Sequence, residues 1–183
     1  MVTASLVRVI LFYLIFIFTS GYTQTDVEKF LYKKRKKMVQ PIEITLSEYA
    51  GPVPPPQVYE IDVHILLKNK KVILSYKEKA ERKEGGWAKD IQESLILTEN
   101  QVKDLAQALI DNDFLHWKDK RFTEQEHNAL GLSFNYLNIH WGDKKIAFEY
   151  FLRDLENEQY VKQKRFIAFL KRLYNTVKDT NAK

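Results

Sequence analysis

The chain contains no cysteine. That excludes a disulfide framework, a thiolate zinc site, a catalytic Cys and an iron–sulfur cluster. Glycine and proline are scarce, with six and five residues in 183, which excludes collagen-like or low-complexity character. There is no Gly-rich phosphate loop, no Gly-x-Ser-x-Gly elbow and no His-Glu-x-x-His pair. No apolar run reaches the roughly 20 residues that a spanning helix wants. What is present suits one ordinary domain with appendages. The chain is 45% hydrophobic, 29% charged and 13% aromatic, enough to build a core.

The first segment reads as an address. Val9 to Phe18, VILFYLIFIF, are ten apolar residues in a row. Arg8 precedes them, and Thr19-Ser20-Gly21 supplies small residues after them. A charged start, a short apolar run and a small-residue exit describe a secretory signal peptide over 1–23, with cleavage after Gly21 or Thr23. The expected location is periplasmic or secreted. The alternative is retention of the run as an anchor. The positive-inside rule would then draw the following cations, and the body behind them, to the cytoplasmic side. No Cys follows the run, so no bacterial lipid anchor attaches there.

Those cations are Lys33, Lys34, Arg35, Lys36 and Lys37, within a stretch over 24–40 that reads as a basic linker. Five like charges in a row suit contact with an anionic surface, or a solvated segment kept extended by self-repulsion. The formal net charge is +5. Arg8 leaves with the signal and five charges belong to the cluster, so the remainder of the chain carries −1. A nearly neutral body lacks the distributed basic face of a nucleic-acid reader, and no nucleic-acid partner is expected.

The body, expected over 41–178 with a disordered tail over 179–183, alternates strand and helix signals. Ile42, Ile44 and Leu46 alternate with polar residues as a strand, and Gly51 to Pro56 makes a stiff extended connection. Tyr59 to Ile65 and Val72 to Tyr76 form a hairpin about the polar turn Lys68-Asn69-Lys70-Lys71. Lys77 to Lys89, highly charged and holding Gly85-Gly86, reads as a solvent loop, and Ile91 to Leu97 as a further strand. Thr98 with Gln101 three residues on is a capping box. Behind it, Val102, Leu105, Ala106 and Leu109 share a helical face that ends at Asp111-Asn112-Asp113. Lys118 to Asn128 reads as a loop. Leu132 to Trp141 and Lys144 to Phe151 make a second hairpin about Gly142-Asp143. A last helix carries Phe166, Phe169, Leu170, Leu173 and Val177 on one stripe.

The expected fold is α+β: an antiparallel sheet from two β-hairpins with two helices packed on one face, in ββ(β)α–ββα order. The hairpins echo one another, since Lys70 to Tyr76 (KKVILSY) matches Lys144 to Tyr150 (KKIAFEY) in its lysines, apolar alternation and final Tyr. Either duplication or convergence of hairpins on one pattern accounts for the echo. Over roughly residues 42 to 175 this order of elements resembles small exported bacterial domains, among them emfourin-type inhibitors of thermolysin-like metalloproteases. The resemblance lies in the layout of elements. It implies a binding role and carries no individual inhibitory residue across.

The best cluster of chemistry-bearing side chains is Glu60, Asp62 and His64, which period-two spacing puts on one strand face. His140, near the end of another strand, is the residue that would complete a divalent metal site or an acid–base group with them. The bland alternative is the solvent face of an amphipathic sheet. Trp87, after Gly85-Gly86 in a charged stretch, suits a partner interface or a Trp folded over the sheet edge. The expected function is therefore an exported, non-enzymatic binding, inhibitor or envelope-associated module with no cofactor. Its partner is another protein or an envelope component. The alternatives are a metal-binding protein or metal-dependent hydrolase using His64 and His140, and an anchored protein with a cytoplasmic domain.

Overall fold

Alternation of apolar and polar residues organises the body around one sheet. The computed structural model describes residues 26–33, 37–38, 41–49, 59–81, 87–126 and 135–181. The signal-peptide reading over 1–23 and the centre of the basic cluster, residues 34–36, lie outside them. The chain divides into two units, Met1–Val39 and Gln40–Lys183. In the first, a helical turn over 26–31 leads into a ribbon in which Tyr32 pairs with Met38 and Lys33 with Lys37. The described ends of the basic cluster thus belong to a hairpin-like ribbon.

The second unit is α+β, with a six-stranded antiparallel sheet. Its strands are β1 (Ile42–Tyr49), β2 (Tyr59–Lys68), β3 (Lys71–Glu81), β4 (Trp87–Ile96), β5 (Asn135–Trp141) and β6 (Lys144–Tyr150). The order across the sheet is β4-β3-β2-β1-β5-β6. The first four strands form a meander, and β5 returns to pair with β1, setting Ile44 opposite Ile139. The turn between β2 and β3 is the two residues Asn69 and Lys70, both at positive φ. That is the geometry that lets a two-residue hairpin follow strand twist. Gly142, at φ 62°, opens the β5–β6 turn.

Two long helices follow the strands: α1 (Glu99–Asp111) after β4 and α2 (Val161–Asn181) after β6. The capping box at α1 is complete. Thr98 Oγ1 accepts from the Gln101 N–H at 3.3 Å, and Gln101 Oε1 accepts from the Thr98 N–H at 2.8 Å. Leu105, Ala106 and Leu109 behind it are fully buried, each large one worth roughly 1.5–3 kcal/mol of apolar transfer. Beyond the helix, the Trp117 indole N–H donates to the Asn112 carbonyl at 2.7 Å. Phe114 and Trp117 are buried, whereas Leu115 is exposed. α2 continues to Asn181, so residues 179–181 of the expected tail over 179–183 belong to the helix.

The charged stretch Lys77 to Lys89 is a correction. The sequence reads as a loop, but β3 runs on to Glu81 and β4 begins at Trp87. Cross-strand charge pairs take the place of apolar alternation there. Lys77 reaches Glu60 at 2.5 Å, Lys89 reaches Glu78 at 2.8 Å, and Lys79 lies 3.8 Å from Asp90. Opposite charges facing each other on neighbouring strands support a ladder, so a run of lysines and glutamates is no barrier to one.

One face of the sheet is buried. Ile42, Ile44 and Leu46 of β1, Val63 and Ile65 of β2, Leu74 and Tyr76 of β3, and Phe148 and Tyr150 of β6 line it. α2 contacts this face through Tyr174, whose ring stacks on Tyr76 at 4.2 Å.

Candidate binding face

Side chains in the opposite phase point to the other side of the sheet, and that side is open. On β1 these are Glu43, Thr45, Ser47 and Tyr49, and every one is exposed or half-buried. The same holds on β2 for Glu60, Asp62, His64 and Leu66, and on β4 for Asp90, Gln92, Ser94 and Ile96. At the β6 end Ala147 is the exception. It is buried where residues 119–121 run beside β6, with the Lys120 N–H donating to the Ala147 carbonyl at 2.9 Å.

All four residues of the sequence-predicted cluster lie on this open face. β1 separates their two strands, with Thr45 opposite His64 on one side and Glu43 opposite His140 on the other. The residue that joins the histidines is Glu43. Its Oε1 is 3.5 Å from His64 Nε2, and its backbone pairs directly with His140. Sequence reasoning missed Glu43. Its outward phase on β1 was legible, but not that β1 lies between β2 and β5. Glu60 and Asp62 are drawn instead to Lys77, at 2.5 and 3.6 Å. The hydrogen bond to Glu60 holds the Lys77 ammonium above its usual range. The carboxylates expected to hold a metal thus already have an ammonium counter-ion. Among the described residues, no group of three or more His, Cys, Asp or Glu side chains is placed to hold a metal ion.

Near His140 the open face deepens into a groove of about 390 Å³. Glu43, Thr45, Asn138 and His140 form its floor, and Asp119 and Arg121 its wall. Asp119 is fixed there by accepting from the Ala147 N–H at 2.9 Å. The groove presents carboxylates, an imidazole, a guanidinium, an amide and a hydroxyl, all partly wet. Such a surface can match hydrogen-bonding groups and charges of either sign on a partner. At the other end of the face, Leu66, Ile73 and Ile96 stand in one cross-strand row. Ile96 is 52% exposed, so the polar face carries an apolar strip at its margin.

A second polar centre sits inside the buried face, and it too was missed. Glu48 has the phase of Ile42, Ile44 and Leu46, and it is fully buried. The Tyr150 hydroxyl donates to Glu48 Oε1 at 2.6 Å, and Lys171 of α2 forms an ion pair with Oε2. Burial first, and then the Glu48 charge and hydrogen bond, push the Tyr59 phenol up to about 12. The same causes raise Tyr150 well above the usual phenol range. A buried carboxylate that meets the Lys171 ammonium and the Tyr150 hydroxyl ties α2 to the sheet.

Trp87 opens β4, so its backbone belongs to a strand and not to a loop; its side chain lies outside the described residues. No helix among the described residues is long and apolar enough to cross a membrane. No protein-family model matches the chain, and comparison with curated proteins and with solved structures finds no match.

Proposed function

We propose that the protein is an exported, non-enzymatic binding module that engages another protein or an envelope component through the open face of its sheet. The observation that carries the reading is the asymmetry of that sheet. One face is lined by buried apolar side chains, while the other is exposed or half-buried from β4 across to β5 and bears groups of both charge signs. In this reading α1 and α2 both serve as backing on the buried face, and the two hairpins supply the display surface. The partner surface is polar with charges of both signs, to meet Glu43, Asp119 and Arg121, and has a small apolar contact for Leu66, Ile73 and Ile96. Export rests on the apolar run Val9 to Phe18 and its small-residue exit.

The test has two parts. The protein is recovered from the exported fraction and its N-terminus determined; a start at Tyr22 or Gln24 supports export, and an intact apolar run supports the anchored alternative. Cross-linking to the envelope fraction is then compared between the natural protein and a triple variant, Glu43→Ala, Asn138→Ala and Arg121→Ala. Loss of the cross-linked species supports the open face. Capture unchanged by the triple variant sinks that assignment.

A further inference from the structure

Apart from its faces, the sheet has two edges, and they are treated differently. The β6 edge is occupied, because residues 119–121 run beside it and Lys120 bridges to Phe148 in the parallel sense. At the other end of the strand order, β4 has no strand on its outer side among the described residues. Ten residues long, it is a template for another strand unless something blocks it.

We infer that β4 pairs antiparallel with β4 of a second copy of this chain, about a two-fold axis through Ile91, making one continuous sheet. The first argument is backbone phase. The Leu97 N–H donates to the Val72 carbonyl of β3, which turns the peptide groups of odd-numbered residues inward. Up to the register shift beyond Lys89, Asp90, Gln92 and Ser94 therefore present their N–H and C=O groups outward. A two-fold axis at Ile91 places Asp90 opposite Gln92, so the outward groups meet one another. Two such pairs at two bonds each give about four inter-chain hydrogen bonds.

The second argument is side-chain complementarity. In the same register Lys89 of one copy faces Glu93 of the other, twice per dimer, and Ile91 faces Ile91. Shifting the axis by one residue either way loses this match. With the axis at Gln92, Lys89 faces Leu95; with the axis at Asp90, it faces Ile91. Within the chain Lys89 already donates to Glu78, and Lys178 donates to Glu93, each at 2.8 Å. The dimer joins these two pairs into a chain of alternating charge, Glu78–Lys89–Glu93–Lys178, across the two-fold. Opposite charges in directly facing positions favour such a pairing, and like charges there disfavour it.

The register makes the inference testable in the full chain, which has no natural cysteine to confuse a cross-link. Ile91 is the one β4 position that faces itself. As a non-hydrogen-bonded pair its Cα atoms would lie about 4.5 Å apart, within disulfide range. Ile91→Cys is expected to form a covalent dimer under mild oxidation, and Gln92→Cys at the next position is not. Separately, Lys89→Glu or Glu93→Lys should each weaken association in sedimentation by about tenfold or more, since two facing pairs turn repulsive at once. The double swap restores it, and mixing the two single variants yields a heterodimer. No preferential Ile91→Cys cross-link, or association indifferent to charge reversal, overturns the proposal. A monomer at every concentration does the same, and the charges then serve to keep the edge unpaired. If a single charge variant fails to fold by circular dichroism, the cysteine pair decides. A dimeric β4 with an inert open face, or the converse, separates this inference from the proposed function.

Discussion

The Tyr150 hydroxyl donates to the buried carboxylate of Glu48 at 2.6 Å, joining residues 102 positions apart in the sequence. β1 and β6 are not neighbours in the sheet, because β5 lies between them. The bond therefore spans β5, and Lys171 closes the same carboxylate from α2. One acidic side chain thus ties together the first strand, the last strand and the last helix.

Removing the cation should expose the cost of that arrangement. Lys171→Ala leaves Glu48 charged and buried without its ion pair, and breaking such a pair by removing one partner costs about 3–5 kcal/mol. Urea denaturation is expected to show the loss as a lower midpoint with an unchanged slope. A Lys171→Met, Glu48→Gln double variant should recover part of it, because the unpaired charge goes with the pair. A Lys171→Ala protein as stable as the natural one removes Glu48 from the list of tertiary ties.

The phenols predict an alkaline transition. Tyr59 ionises at about 12 in the folded chain against about 10 unfolded. Its contribution is fully present below pH 10, since both states then hold the proton. Between pH 10 and 12 the unfolded chain releases a proton that the folded chain retains, so stability falls as pH rises. Tyr150 and Tyr76, also raised chiefly by burial, act in the same direction. Thermal unfolding followed from pH 9 to 12 should show a progressive decline, and Tyr59→Phe should flatten it. A flat profile would contradict the burial of these hydroxyls.

At α1 the prediction is local. Thr98→Ala removes the side-chain acceptor of the Gln101 N–H and should cost about 1 kcal/mol. Thr98→Ser should be close to neutral, because it keeps the hydroxyl. Equal losses in both would mean that the methyl group, and not the cap, carries the effect.

For the histidines, the binding-module reading expects purified protein to carry no stoichiometric divalent ion by elemental analysis. It also expects a His64→Ala, His140→Ala variant to change stability by no more than about 0.5 kcal/mol, as surface substitutions do. A bound ion that disappears in His64→Ala would establish the metal reading in its place.

Much of the sheet could be read from alternation and turn chemistry, and α1 from its cap and stripe. Thr98 and Gln101 form the box that their spacing announces. The same signature at Thr123 and Glu126 passed for loop, yet Glu126 Oε2 accepts from the Thr123 N–H at 2.7 Å and a helical turn follows. That box lacks the apolar stripe that made the first one visible. The ends of β3 and β4 were hidden for a related reason. Hydrophobic period marks a strand where a face is buried, and Lys77, Glu78 and Lys79 are held by charges on neighbouring strands instead. Those partners cannot be known before the register is. Glu48 was concealed by its own phase, since an acid in an apolar position reads as an exception until Lys171 is seen beside it. The open face was half legible: Glu60, Asp62 and His64 share it as spacing required, but Glu43 joins His64 to His140 only because β5 returns to β1.

That return also orders the assembly of the fold in time. β1 to β4 is a meander of neighbouring pairings and needs only short loops to close. β5, by contrast, must find a strand far back in the chain, with Ile139 pairing with Ile44. Contacts so far apart in sequence form late, because the loop they close is costly before they exist. Until they do, β1 is a bare outer strand with Ile42, Ile44 and Leu46 along it, and such unfinished edges invite aggregation. This half-built sheet is the species that a chaperone or holdase would meet first. Glu48, charged and waiting for Lys171, is the mark by which its completion can be followed.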